Sequence, residues 1–441
     1  MQTSTPNRLL LNRSLAAVWH PCTQMKQHET LPLIPVARAR GCWLYDFEGR
    51  RYLDAVSSWW VNLFGHGNPH INAALHDQLE TLQHAMLAGF THEPVVDLSE
   101  RLSQRTGGNL GHCFYGSDGA SATEIALKMS FHYWRNRGQA RKTRFVSLKG
   151  SYHGETLGAL SVTDVALFKD TYAPLLRSSV QVQSPDWRLA EPGESPRDYA
   201  MRAARALKEH LERHHEETAA LIIEPLVQGA TGMAMYEPAY LTEARRLCNL
   251  YEVHLIADEI MTGFGRTGTF FGHEQAHITP DFLCLSKGIT GGYLPLSVVM
   301  TRDGIYNAFY DDNVTRGFLH SHSYTGNALA CRAALATMEL FERNDVIHQN
   351  RTTAAQIASA AQPIAEHPRV KDFRQAGMIC AFEVDSTNPH FSRDFHQQAL
   401  DREILLRPIG NTVYFMPPYV INTEEIALLA THTLQVLHTC A

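Results

Sequence analysis

The chain has 441 residues, 44% apolar and 19% charged, the proportions of an ordinary globular protein, and its length exceeds what one hydrophobic core organises, so two subdomains with extensions are expected. A formal net charge of −6 argues against nucleic acid or an anionic membrane as the main partner, since such proteins carry a basic excess, and no apolar run reaches the roughly 18 residues that span a bilayer. Eight cysteines without a Cys-x-x-Cys pair fit reduced thiols of a cytosolic protein better than a disulfide framework or a zinc site.

The opening MQTSTPNRLLLNRSLAAVW is basic and lacks acids, yet it has no clear cleavage region and runs into a patterned segment. An N-terminal arm is therefore expected rather than a transit peptide. Residues 1–56 read as loop-rich, with turn signals at His20-Pro21, Leu31-Pro32 and Ile34-Pro35 and then a hairpin around Gly49. Ser57-Ser58-Trp59-Trp60 follows. Adjacent side chains cannot share a face, so either one tryptophan packs inward while the other lines a cavity, or both are core aromatics. A glycine-punctuated loop from Gly65 to His70 leads into a helix from about Ile71 to Leu82.

From Phe114 to Arg137 the pattern is a short strand, a Gly-Ser-Asp-Gly-Ala turn and an amphipathic helix stopped at Gly138. Amides of small residues at a helix start suit a phosphate, although the same residues also serve as an ordinary cap. The strand Arg144 to Leu148 ends in a loop carrying Tyr152, His153 and Glu155. That loop could stack on a planar ring and contact a substrate amine, or simply start a capped helix. Residues 166–195 read as an irregular surface excursion. Pro196 to Glu217 reads as a charged helix whose His210, His214 and His215 have metal-ligand spacing, but whose Glu and Arg neighbours favour a solvated face.

Two apolar runs carry the functional reading. Val253 to Ala257 delivers Asp258 and Glu259 at its carboxyl end, and Phe282 to Leu285 delivers Lys287 at its own. Both read as buried parallel strands, and ligands bind at that rim of an open α/β sheet. An acid and an amine placed there suit a cofactor with a basic nitrogen and an aldehyde, as in pyridoxal phosphate. The lysine would condense with the aldehyde, and the aspartate would hold a proton on the pyridine nitrogen.

Strands alternating with helices, including Ala220 to Glu224 and Leu296 to Thr301, indicate a mainly parallel sheet. The expected organisation is an N-terminal segment of a small domain at 1–56, a large domain at 57–342 and a C-terminal α+β small domain at 343–441. Arg407 follows a short apolar strand, Leu405-Leu406. A buried guanidinium there would need a carboxylate, supplied by the protein or by a substrate.

Taken together, these pieces resemble the class III aminotransferases of fold type I over almost the whole chain. The signature is Leu255-Ile256-Ala257-Asp258-Glu259-Ile260-x-x-Gly263-Phe264-Gly265-Arg266-Thr267-Gly268, followed by Ser286-Lys287-Gly288. The resemblance implies pyridoxal 5'-phosphate on Lys287, Asp258 at its ring nitrogen, Tyr152 stacked on the ring, and phosphate held by Gly119, Ala120 and a partner subunit's hydroxyl at the place of Ser323. It therefore also implies an obligate homodimer with shared sites. Trp19-His20-Pro21-x-Thr23, Ser57-Ser58-Trp59-Trp60 and Arg407-Pro408-x-Gly410…Tyr414-x-Met416-Pro417-Pro418-Tyr419 resemble the branch of the family that serves biotin synthesis. That likeness implies a substrate pocket of Trp59, Trp60, Tyr152, Glu155, Arg407 and Tyr414, with Arg266 near its mouth. It also implies S-adenosylmethionine as donor, or lysine as in some relatives. Two residues depart from the pattern: Cys22 stands where tyrosine is usual, and Glu155 where aspartate is frequent.

Other readings are an ω-amino-acid or diamine aminotransferase, a cofactor-binding regulatory module and a cofactor-free lyase using Lys287. The module is disfavoured by the absence of a basic excess.

Overall fold

The computed structural model describes residues 5–31 and 33–440; residues 1–4 and Pro32 of the Leu31-Pro32 turn lie outside them. Two compact units result. One comprises Met1–Pro69, Thr353–Phe373 and Cys380–Ala441, and the other His70–Thr352 and Arg374–Ile379.

The larger unit is built on a seven-stranded sheet. Its order is His112–Gly116, Ser297–Thr301, Phe282–Leu285, His254–Asp258, Thr218–Ile223, Arg144–Leu148 and Val180–Val182. The five strands from Phe282–Leu285 to Val180–Val182 run parallel, while Ser297–Thr301 is antiparallel to both of its neighbours. The central strands are buried at every position, as sheet-interior strands covered on both faces must be. This bears out the mainly parallel α/β reading. The apolar side chains of Ile222, Ile256, Phe282, Val299, Ile125 and Ala126 join one core cluster. The register pairs Asp258 with Cys284 and Ala257 with Ile223. Residues just past these strand ends, Glu224, Asp258 and Lys287, therefore arrive at one level of the rim.

The smaller unit contains the four-stranded sheet Val36–Arg40, Trp43–Asp46, Arg51–Asp54 and Ile404–Leu405. The hairpin around Gly49 is present, pairing Trp43 with Leu53. The last helix, Thr423–Thr439, begins with a reciprocal capping box between Asn422 and Glu425.

Three expectations are corrected. The loop-rich reading of 1–56 misses a helix at Pro6–Ala17, which starts on a Thr5 cap with proline in its first turn; a short helix whose apolar residues do not hold to one face leaves little periodic trace. The excursion at 166–195 is not wholly irregular, because Val180–Val182 forms the sheet's edge strand. Three residues are too few to show alternation. The helix expected at Ile71–Leu82 runs Pro69–Leu79, and the helix Glu93–Arg105 was not anticipated. No helix among the described residues is long and apolar enough to cross a membrane.

Candidate active site

Lys287 follows its strand after one residue, Ser286, and sits at φ +46 in a short turn closed by Gly291. A side chain in the left-handed region is strained and must be held by its surroundings. Here the Ser286 hydroxyl donates to the Leu296 carbonyl at 2.8 Å, and the Gly291 amide donates to Gly288 at 2.9 Å. Burial depresses the Lys287 pKa to about 8, helped by the Arg266 charge and opposed by Asp258 and Glu224. About a tenth of the amine is thus unprotonated at neutral pH, far more than for an ordinary lysine, as a nucleophile and proton carrier requires.

Asp258 ends the central strand and is buried. Its Oδ2 lies 2.6 Å from His153 Nδ1, and its Oδ1 accepts from the Ile260 amide at 3.1 Å. The imidazole of that loop is buried behind the aspartate. Its Nε2 has no hydrogen-bond partner among the described residues.

Sequence reading overlooked Glu224, which follows the strand next to that of Asp258. Its two oxygens accept from the amides of Tyr152 at 3.0 Å and Gly229 at 3.0 Å. Burial raises its pKa to about 7; His153 pulls it down and the Asp258 charge pushes it up. The only available signal was an acid at the end of a fully apolar strand.

Tyr152 donates its phenol to Glu155 Oε1 at 2.8 Å and meets Phe168 edge-on at 5.5 Å between ring centres. The longer glutamate thus reaches the phenol three residues back. Gly119 opens the helix Gly119–Asn136 behind an Asp118 cap, and the first amides of a helix have no intrahelical acceptor. A Cβ on Gly119 would lie 2.9 Å from Ile260 Cγ2, and one on Gly154 would lie 2.5 Å from Ala120 Cβ. The turn at Gly119 and Ala120 is therefore clasped between the loop after Asp258 and the loop after Tyr152. Ser323 is exposed, and its carbonyl accepts from His84 at 2.9 Å.

The second carboxylate of the signature, Glu259, serves a different purpose from Asp258. It is fully buried and accepts from Thr262, the Gly272 amide, and both the amide and ring of His273 at 2.7–3.0 Å. These bonds fold the glycine-rich loop inward. Arg266, expected near a mouth, is accordingly only 1% exposed, and its carbonyl accepts from the Met378 amide at 2.8 Å.

Trp59, Trp60, Arg407 and Tyr414 are brought together in the other unit. Trp60 is 6% exposed and donates from Nε1 to the Tyr414 hydroxyl at 3.1 Å, whereas Trp59 is 46% exposed. The pair is therefore divided rather than jointly core. Arg407 is exposed between buried Leu406 and Pro408, which corrects the buried guanidinium expected here. Its outward direction follows from the alternation of the extended chain. No carboxylate pairs with it among the described residues; it lies 5.0 Å from the Trp59 ring centre. Burial pushes the Tyr414 phenol up to about 12, against the pull of Trp60 and Arg407.

The tryptophans sit on an unusual backbone. Ser57, Ser58, Trp59 and Trp60 all have positive φ, between 47 and 74°, and the Val61 amide closes the turn on the Ser57 carbonyl at 3.0 Å. This is one turn of left-handed helix, which costs about 1–2 kcal/mol per residue for side chains with a Cβ.

The described residues hold no group of three or more His, Cys, Asp or Glu that could bind a metal ion. The His210 and His214 rings meet tilted at 34°, with centres 5.1 Å apart.

The donor set on the rim of the larger unit fits pyridoxal phosphate. It offers a low-pKa amine for the aldehyde, a buried aspartate for the ring nitrogen and a clasped helix start for the phosphate.

Residues 24–437 match the family model described as "Aminotransferase class-III". The chain is 47% identical over 433 residues to the adenosylmethionine-8-amino-7-oxononanoate aminotransferase of Helicobacter pylori, covering 96% of both. The protein of that name from Anoxybacillus flavithermus is 38% identical, with 94% of this chain and 93% of that one covered. Among solved structures, the adenosylmethionine-8-amino-7-oxononanoate aminotransferase of Methanocaldococcus jannaschii superposes with a TM-score of 0.92 at 34% identity, covering 98% of this chain and 99% of that one. A PLP-bound amine transaminase from an uncultivated Pseudomonas species gives 0.91 at 30%, covering 96% and 99%.

Proposed function

This chain belongs to the class III aminotransferases, and we propose that it moves an amino group from S-adenosylmethionine to 8-amino-7-oxononanoate, giving 7,8-diaminononanoate in biotin biosynthesis. It is a pyridoxal 5'-phosphate-dependent transaminase of fold type I. The observation that carries the chemistry is the placement of Lys287 and Asp258 at one sheet rim, joined by the two adjacent strands Phe282–Leu285 and His254–Asp258. The choice of substrates is supported by 47% identity over nearly the full length of a relative bearing that activity's name.

When bound, the cofactor supplies an aldehyde that exchanges amines and a ring that accepts electrons. Lys287 would hold it between turnovers, and the free Lys287 amine would take the proton from the donor's α-carbon and return one as the amino group is handed on. Asp258, steered by His153, would keep the ring nitrogen protonated. Tyr152 would stack on the ring, and the amides of Gly119 and Ala120 would receive the phosphate. Ser323, exposed on its own protomer, completes that cradle from the partner subunit of a homodimer. The enzyme works in the cytoplasm on small-molecule substrates.

For the acceptor, the exposed Arg407 guanidinium binds the distal carboxylate, and its planar fork suits such a group. Trp59 and Trp60 line the aliphatic chain, with Tyr414 behind Trp60.

The test is a single-turnover experiment with S-adenosylmethionine or lysine as donor, following loss of the bound cofactor's visible absorbance. Rapid loss with S-adenosylmethionine, and recovery on adding 8-amino-7-oxononanoate, are expected. Response to lysine alone would overturn the donor assignment, and failure of the oxononanoate to restore absorbance would overturn the acceptor.

A further inference from the structure

The left-handed turn Ser57–Trp60 cannot persist on local preference, because four consecutive residues with a Cβ stand at positive φ. Something must hold it, and the side chains that do so are not those expected to touch substrate.

Asp54, wholly buried at the end of the strand Arg51–Asp54, grips the turn from one side. Its Oδ1 accepts from the Ser58 amide at 2.8 Å and its Oδ2 from the Ser58 hydroxyl at 2.7 Å. Oδ2 also lies 3.0 Å from His66 Nε2, which orients the carboxylate. Ser57, also wholly buried, grips from the other side, donating its hydroxyl to the Met416 carbonyl at 2.6 Å. A two-point grip on Ser58 fixes both its backbone direction and its side chain. The consequence is the division of the tryptophans: Trp60 turns inward to Tyr414 at 3.1 Å, and Trp59 turns outward beneath Arg407. In a relaxed right-handed or extended conformation the two indoles would leave these positions.

We propose that Asp54, with Ser57, is a positioning residue for substrate selection. It stores strain in the Ser57–Trp60 turn so that the Trp59 face and the Arg407 guanidinium are presented in register. This rests on the reading of Trp59, Trp60 and Arg407 as the acceptor wall. The side-chain hydrogen bonds of Asp54 go to Ser58 and His66, so the donor half-reaction should continue without it wherever the donor does not use that wall.

The experiment compares wild type, Asp54→Ala, Asp54→Asn, Ser57→Ala and the double variant Asp54→Ala with Ser58→Gly, all as cofactor-loaded full chains. Hydrogen exchange at residues 57–61 is read without substrate, and KM and kcat for the acceptor are read separately. Asp54→Ala should accelerate exchange in the turn and raise KM by about tenfold with kcat within about twofold. Asp54→Asn, which keeps one acceptor for the Ser58 amide, and Ser57→Ala should fall between. The added glycine should restore protection and lower KM again, since glycine takes positive φ without penalty. A merely structural role would give no such rescue. Unchanged exchange in Asp54→Ala, or faster exchange with unchanged KM, would overturn the proposal. So would a fall in kcat alone. A wild type that ignores 8-amino-7-oxononanoate would fail the acceptor assignment, while the exchange data would still decide whether Asp54 holds the turn.

Discussion

His153 Nδ1 lies 2.6 Å from Asp258 Oδ2, with both side chains buried. The imidazole is turned to the carboxylate, the group proposed to keep the cofactor ring protonated. Asp258→Asn should keep the cofactor bound and lose turnover by about a hundredfold or more, the usual scale for removing a preorganised electrostatic group. His153→Ala should lose less, because the charge survives while its direction is freed. Cofactor stoichiometry and kcat measured on the same samples check both, and near-normal turnover in Asp258→Asn would remove Asp258 from its role.

The Lys287 amine, depressed by burial to about 8 from an ordinary 10.5, should capture the aldehyde at neutral pH. Only the unprotonated amine attacks. The rate at which apo-protein takes up the cofactor should therefore climb with pH and level off just above 8. Stopped-flow absorbance provides the measurement. A rate still climbing at pH 10 would show an ordinary lysine, and Lys287→Ala should show no capture.

Glu224 makes a different kind of pH prediction. Burial raises its pKa to about 7 from 4.5, so between these values the folded chain binds more protons than the unfolded one. Stability then falls as pH rises through this window, and the full cost, about 3 kcal/mol, is reached above pH 7. Glu224→Gln removes the ionisation. Relative to wild type it should gain stability on going from pH 5 to pH 8, read as a difference in denaturant midpoints, whereas a constant difference would contradict the raised pKa.

Gly154 stands at φ +117, where a Cβ would lie 2.5 Å from Ala120 Cβ. Gly154→Ala should cost about 1–3 kcal/mol through strain and overpacking. It should also weaken cofactor binding, because Ala120 lies in the turn proposed to hold the phosphate. Thermal melting and cofactor titration test the two effects separately.

Arg407→Ala should raise KM for the oxononanoate by about 10–100-fold, the worth of a charge-assisted hydrogen-bonded contact, and leave the donor half-reaction intact. Equal damage to both halves would make the arginine structural.

The composition, the apolar runs leading to Asp258 and Lys287, and the glycine-marked turns were enough to determine the mainly parallel sheet and to propose the chemistry at its rim. Strand periodicity and strand-end polarity are local properties that survive in one dimension. Tertiary structure alone decided the rest. Asp258 and Glu259 are adjacent in sequence, yet the first points to the rim beside His153 and the second folds the Arg266 loop inward through four hydrogen bonds. Nothing in Ser57-Ser58-Trp59-Trp60 signals a left-handed turn, because the strain is held by Asp54 and the Met416 carbonyl, the latter 359 positions away. Burial, which gives Glu224 and Lys287 their altered proton affinities, depends on which distant segments cover a side chain. Local pattern cannot encode that.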